Sequence, residues 1–276
     1  GLAVSLSDVG AMGAIPRYAL IALGLPPKTP VKVVDGLYRG IWRGAEEAGV
    51  AVVGGDLSEA PCLILTVIVI GEGESERLVL RSGAKVGETI WVTGHLGRAS
   101  AGLAALKAGY RIEHSVAKKR RGKTPPKARN PLRQTIHAQL YPVARYREGR
   151  ALADAGLATA MIDLSDGLGS DLSRLAEESG IGARIWEDRI PVDHSTKQIA
   201  QLLGLDLLKL ALAGGEDFEL LFTSGADLVT VQKMFVDKGF ASPHAIGEVL
   251  PAKEGLLLVG PRGRQKRLQR GFEHFR

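Results

Sequence analysis

The sequence predicts a two-domain α+β protein: an N-terminal domain built on a mixed sheet, then a C-terminal α/β domain with sandwich-like layering. Three observations carry this. The chain has 276 residues, enough for two domains of ordinary size. Short apolar, strand-like runs alternate with helical stretches in both halves, and short strands followed by paired helices suit α+β layers better than a plain doubly wound sheet. Between the halves lies a basic, Pro-containing stretch with almost no apolar residues, so the expected division is 1–116, an insert or linker at 117–137, and 138–276.

In chain order, Val33, Val34, Leu37, Tyr38, Ile41 and Trp42 recur at helical spacing, and Gly49 closes that helix. Val50 to Val53 then reads as a buried strand ending at Gly54. Leu63 to Ile70 is apolar nearly throughout and rich in β-branched residues, which predicts a central strand. Cys62 beside it reads as a buried structural thiol. As the sole cysteine it allows no intrachain disulfide, which fits a reducing cytosol. Ile90 to Thr93 predicts a short strand and Ser100 to Leu106 a helix rich in Ala and Leu. Beyond the basic stretch, Leu152 to Ile162 runs from helix to strand, and Asp171 to Ser179 is an amphipathic helix stopped by Gly180. Ala183 to Trp186 is strand-like, Gln198 to Leu203 helical, and Glu219 to Thr223 a strand. Leu228 to Lys238 predicts a helix and Gly255 to Val259 a late strand.

The composition, 45% hydrophobic and 24% charged, is that of an ordinary globular protein. No apolar run reaches the roughly 18 residues that span a bilayer. The opening Gly1 to Leu6 has neither a basic flank nor a small-residue cleavage site, so no signal peptide and a cytoplasmic location are expected. The net charge of +6 belongs to one segment: Lys118 to Arg133 holds eight Lys or Arg residues and no acid, and the remainder has 28 basic against 30 acidic residues. That segment has no aromatic residue on which bases could stack, so it predicts a solvated insert rather than a nucleic-acid interface.

Four acidic motifs read as turns where strands or helices begin or end. They are Leu6-Ser7-Asp8, Gly54-Gly55-Asp56, Asp163-Leu164-Ser165-Asp166-Gly167 and Gly214-Gly215-Glu216-Asp217. Mg2+ takes oxygen ligands, usually one or two carboxylates with phosphate oxygens, and glycine lets the backbone approach a polyphosphate. Each motif has a structural rival. Asp/Gly turns are common in themselves, and Asp163 and Asp166 could cap a helix starting near Leu168. Tyr38 fits a core position as well as a ligand contact, Arg81 a solvated surface, and Phe272 a packed terminus. His95 and His137 lack metal-ligand spacing and read as incidental.

The motifs also occur in an order. Ser5 to Ala14 and Val53 to Asp56 come first, then Leu80 to Glu88, Val92 to Gly97, Met161 to Leu168, Gly214 to Phe222 and Gly271 to Phe275. In this ordered set the chain resembles the thiamine-monophosphate kinases, members of the superfamily that includes aminoimidazole ribonucleotide synthetase. The resemblance implies transfer of the γ-phosphoryl group of ATP to thiamine monophosphate with several Mg2+ ions. It implies Mg2+ ligation by Asp8, Asp56, Asp163 and Asp166, and ATP contacts from Gly55, Arg81, Ser165 and Tyr38. Glu216 or Asp217, with Phe272, would face the thiamine end. Two N-terminal sheets would pair into a homodimer with ATP near the interface. Family members carry, ahead of the Ser-Asp motif, a segment with Gly-Asp-Asp and further Asp and His ligands. With Gly1 just before Ser5, those ligands are expected to be missing and the site incomplete. Two relatives by superfamily are the alternatives. A selenophosphate synthetase needs a reactive N-terminal Cys or selenocysteine. A hydrogenase-maturation protein needs a C-terminal Cys, where this sequence reads His274-Phe275-Arg276.

Overall fold

Helix α1 (Leu2–Ala11) leads into strand β1 (Ile15–Leu25), helix α2 (Val31–Ala48) and strands β2 (Ala51–Glu59) and β3 (Ile64–Glu72) in the computed structural model, which describes residues 1–113, 116–119 and 129–268. The three strands form one sheet in the order β2-β1-β3, with β2 parallel and β3 antiparallel to β1. Helix α2 stops at Gly49, whose left-handed φ of 68° suits glycine. Its Ile41 and Ala45 bury against Ala19, Ile21 and Leu23 of β1. The opposite face of the sheet stays open: Ile64, Ile68 and Ile70 of β3 are each about half exposed, and Val53 and Leu57 of β2 more so.

The remaining elements are β4 (Thr89–Val92), α3 (Arg98–Lys107), β5 (Tyr110–Glu113), β6 (Val116–Lys119), α4 (Arg129–Leu140), α5 (Tyr146–Asp154), β7 (Ala160–Asp163), α6 (Leu168–Ser179), β8 (Ile181–Trp186), α7 (His194–Leu203), α8 (Leu207–Ala213), β9 (Leu220–Ser224), α9 (Leu228–Asp237), β10 (His244–Pro251), β11 (Leu256–Val259) and β12 (Gln265–Arg267). Seven strands form a second sheet in the order β12-β11-β8-β10-β4-β9-β7, and β5 pairs with β6 as a hairpin. Both faces of the large sheet are covered, which is why β4 is apolar at consecutive positions. Ile90 and Val92 enter the core under α6, while Trp91 points the other way onto Phe222, with ring centroids 6.1 Å apart, near α9.

Several expectations need correction. Leu63 to Ile70 contributes β3, an edge strand and not a central one. It is apolar because both faces carry apolar residues, which says nothing about how many neighbours the strand has. Cys62 is exposed, in the connection between β2 and β3. Two of the acidic motifs are not turns: Ser7 and Asp8 lie inside α1, and Gly54-Gly55-Asp56 lies within β2, which runs on to Glu59. The basic stretch is not loop throughout, since its ends belong to β6 and α4. Arg120, Arg121, Lys123 and Lys127 lie outside the described residues, as does Phe272. The central strands β1 and β10 were illegible in the sequence. Pro16, Arg17 and Gly24 interrupt the one, and Gly247, Glu248 and Pro251 the other. Gly247 is required where it stands, because a Cβ there would lie 2.3 Å from the Arg184 carbonyl oxygen on β8. Strand β4, ahead of the expected 117–137 linker, sits in the same sheet as every strand from β7 onward.

Candidate active site

The site grows from the C-terminal end of β7. This edge strand ends on Asp163, and the turn to α6 follows through Leu164 to Gly167. Gly167 adopts φ 102°, a backbone that L side chains rarely take. Helix α1 packs against β7 and carries Ser7 and Asp8 to it. The stretch ahead of β4 passes on the other side, where the Met161 amide donates to the Leu80 carbonyl at 2.9 Å and sets Arg81 beside the same end. The Gly214–Asp217 turn, leading into β9, is laced to the Asp163–Asp166 turn. Glu216 N–H donates to the Ser165 carbonyl at 2.8 Å and Phe218 N–H to the Leu164 carbonyl at 3.0 Å. A Cβ on Gly215 would lie 2.3 Å from the Ser165 oxygen, so the two turns could not approach this closely with any other residue.

Electrostatics distinguish the carboxylates. Asp163 is 4% exposed, and burial pushes its carboxyl above the ordinary range. The Ser7 hydroxyl and Arg81 pull it back, while the charge of Asp8 pushes it further up. Asp8 lies on the exposed side of α1, yet partial desolvation raises it too, against the pull of Arg81. Asp163, Asp8 and Arg81 are thus brought together, and Asp166 lies one turn further along. The N-cap position of α6 is Gly167, which offers no side chain to cap it. Arg174 Nη2 holds Asp166 Oδ2 at 2.6 Å. Asp171, fully buried, accepts the Asp166 and Gly167 amides at 3.0 and 3.1 Å.

The other expected residues spread out. Asp56 is exposed on β2, where its carboxylate accepts from the Ser58 hydroxyl at 2.5 Å. Gly55 is fixed by packing, since a Cβ there would lie 1.8 Å from the Ile21 carbonyl oxygen of β1. Tyr38 packs partly buried onto the α2–β1 core, its ring 6.4 Å from Trp42. Glu216 holds φ 68°, unusual for a side-chain-bearing residue, and its carboxylate accepts from the Gln139 amide. Among the described residues no three His, Cys, Asp or Glu side chains converge closely enough to cage a metal ion.

Beyond the Gly214–Asp217 turn opens a cavity of about 600 Å³ between α3 and α4, lined among others by His95, His137, Tyr141, Arg145, Glu216 and Asp217. The two histidines therefore line a cavity that sequence reasoning missed. Only their proximity to the Gly-Gly-Glu-Asp motif in space, invisible in the chain, could have marked them. Asp217 accepts the Gly97 amide at 2.6 Å and the Ala99 amide at 3.0 Å, closing the orphan donors at the start of α3 from 120 and 118 residues away. Burial pushes its carboxyl up to about 7, with the two amides opposing. A folded value above the unfolded one means stability complete at low pH and lost as pH rises through about 4 to 7. Asp217→Asn is expected to flatten the stability–pH slope across that interval in urea unfolding; an unchanged slope would remove Asp217 as its source.

The AIR synthase related protein N-terminal domain family matches residues 1–72, and the corresponding C-terminal domain family matches residues 85–257. A thiamine-monophosphate kinase of Buchnera aphidicola (subsp. Acyrthosiphon pisum) is 31% identical over 99% of this chain and 79% of its own length. The thiamine-monophosphate kinase of Pyrococcus horikoshii is 38% identical over 80% of this chain, and the match spans 62% of that protein, under two thirds of its length. The solved structure of AaThiL complexed with AMPPCP and TMP superposes with a TM-score of 0.82 at 31% identity, covering 99% of this chain and 78% of the other.

Proposed function

Because the chain belongs to the AIR synthase related proteins, and among them to the thiamine-monophosphate kinase family, we propose that it transfers the γ-phosphoryl group of ATP to thiamine monophosphate. The observation that carries this reading is the meeting of Asp8, Asp163 and Arg81 at one end of β7. In the reaction a phosphate oxygen of thiamine monophosphate bonds to the γ-phosphorus as the bond to the ADP oxygen breaks. The acceptor is already an oxyanion, so no strong base is needed; two anions must be brought together and their charge offset.

The donor set fits Mg2+. Asp8 and Asp163 repel each other across a partly desolvated gap, and a cation between them would relieve both. With no three-ligand cage among the described residues, two carboxylates plus phosphate oxygens is the arrangement Mg2+ favours. Bound there, Mg2+ would offset charge on the bridging and transferred phosphate oxygens. Asp8 and Asp163 would hold one ion, and Asp166 and Asp56, which stand apart from that pair, would each ligate a further Mg2+. Arg81 would pair with phosphate oxygens, and Ser165, the Gly55 backbone and Tyr38 would line the nucleotide. Glu216 and Asp217 on the cavity wall would face the thiamine end, with Phe272. The test is thiamine diphosphate formation from ATP and thiamine monophosphate with and without Mg2+. No product from folded protein that binds ATP would send the substrate assignment elsewhere in the superfamily.

Sheet membership and the two family matches favour a division of the chain between residues 72 and 85. The open apolar face of β2-β1-β3 would pair with its copy in a homodimer, since an apolar patch of this kind is rare on a monomer. Ile68→Lys puts a charge at its centre, and sedimentation should then show half the mass of the parent. A parent that sediments as a monomer would refute the dimer.

A further inference from the structure

Asp171 and Arg174 have no part in the reaction just described, yet they are tied to it by four short bonds. Asp171 Oδ2 accepts the Asp166 and Gly167 amides at 3.0 and 3.1 Å, and Oδ1 accepts Arg174 Nη1 at 2.6 Å. The second terminal nitrogen, Nη2, binds Asp166 Oδ2 at 2.6 Å. These bonds close a ring that fixes both the backbone and the side chain of Asp166. The spacing makes it possible: residues three apart on a helix are neighbours, and Asp171 and Arg174 share one face of the first turns of α6. The planar guanidinium fork can grip two carboxylates at once, as a single ammonium cannot. The arrangement is costly for mere capping. Asp171 is fully buried, so its carboxylate is taken out of water to hold two amides and a guanidinium. A serine or aspartate at the helix start would cap more cheaply.

We propose that Asp171 and Arg174 are positioning residues that orient Asp166 for metal ligation, Asp171 fixing its backbone and Arg174 holding its carboxylate through Oδ2. The proposal rests on the reading of Asp166 as a ligand. Hydrogen-bonding partners behind a ligating group commonly change metal affinity about 10–100-fold. Arg174 is the residue to change, because its side chain is 40% exposed and its loss opens no core.

The experiment is an electron paramagnetic resonance titration of Mn2+ into the whole chain with a non-hydrolysable ATP analogue. The proteins are the parent and the variants Asp166→Asn, Arg174→Gln and Arg174→Lys, each checked for melting temperature. Asp166→Asn and Arg174→Gln should each weaken Mn2+ binding by about 10-fold or more. Arg174→Lys should recover less than half of that loss, because it restores the charge without the fork. A merely structural Arg174 would shift the melting temperature and leave Mn2+ affinity alone. Weaker binding in Asp166→Asn with unchanged or tighter binding in Arg174→Gln overturns the inference and leaves the ligand reading standing. Unchanged binding in Asp166→Asn overturns both.

Discussion

Asp163→Asn is expected to lower kcat for thiamine diphosphate formation by about 10²–10³-fold, the usual cost of removing one preorganised electrostatic group, while the protein becomes slightly more stable. The two effects share a cause. Asp163 ends β7 in a dry position, and burial, then the charge of Asp8, hold its carboxyl above the ordinary value. A carboxyl raised on folding contributes fully to stability below its unfolded value, and that contribution is lost as pH rises through the folded one. At neutral pH the ionised group is therefore a net cost, which the amide removes. What makes the position costly makes it useful, since a desolvated carboxylate beside a second one attracts a cation strongly. The check is kcat at saturating ATP and Mg2+ beside the melting temperature at pH 7. Full activity in the variant would take Asp163 out of the chemistry, and a lower melting temperature would mean its contacts outweigh its burial.

Arg145→Met should be the most destabilising single change near the cavity. Arg145 donates through Nε and Nη2 to the two oxygens of Glu219, both at 2.7 Å, and Thr93 adds a third bond at 2.6 Å. Burial works against the Arg145 charge, and Glu219 more than restores it. Without Arg145, the Glu219 side chain, 7% exposed, is left desolvated against the Thr93 hydroxyl. It packs directly on Gly94, where a Cβ would lie 2.3 Å from its Oε1. Removing one partner of a buried pair costs about 3–5 kcal/mol. Because the Arg145 side chain is 28% exposed, the low end applies. At about 3 kcal/mol the melting temperature falls by roughly 6–12 °C for a protein of this size. Adding Glu219→Gln should recover part of the loss, since the stranded charge goes with it. A double variant no more stable than Arg145→Met would show that the cost is lost packing.

Much of the fold was legible because it depends on local rules. The α2 periodicity ended at Gly49, α6 at Gly180, and β4, β7, β8, β9 and β11 were each a short apolar run with a clear stop. What depends on neighbours was not legible. β3 looked central because it is apolar on both faces, but one of those faces is an open surface. β1 and β10, which are central, carry Pro, Arg, Gly or Glu that only their pairing partners explain. Asp171 looked like one more polar residue on a helix, and nothing within the segment marked it as the group that holds the Asp166 turn.

The sequence by itself determined the kinds of group available: carboxylates flanked by Gly and Ser, in an order that carries the family. Composition and short-range spacing suffice for that, because glycine conformations, helix periods and strand alternation are properties of a few consecutive residues. Only the tertiary structure decided which of those groups meet. Asp8 and Asp163, some 155 positions apart, come together because α1 packs on the edge of a sheet whose strand order runs far from chain order. Asp56 stands apart on another sheet, and Asp217 closes the start of a helix more than a hundred residues upstream. Desolvation, which sets the charge behaviour of Asp163 and Asp217, arises from the atoms packed around a group and not from its neighbours in the chain.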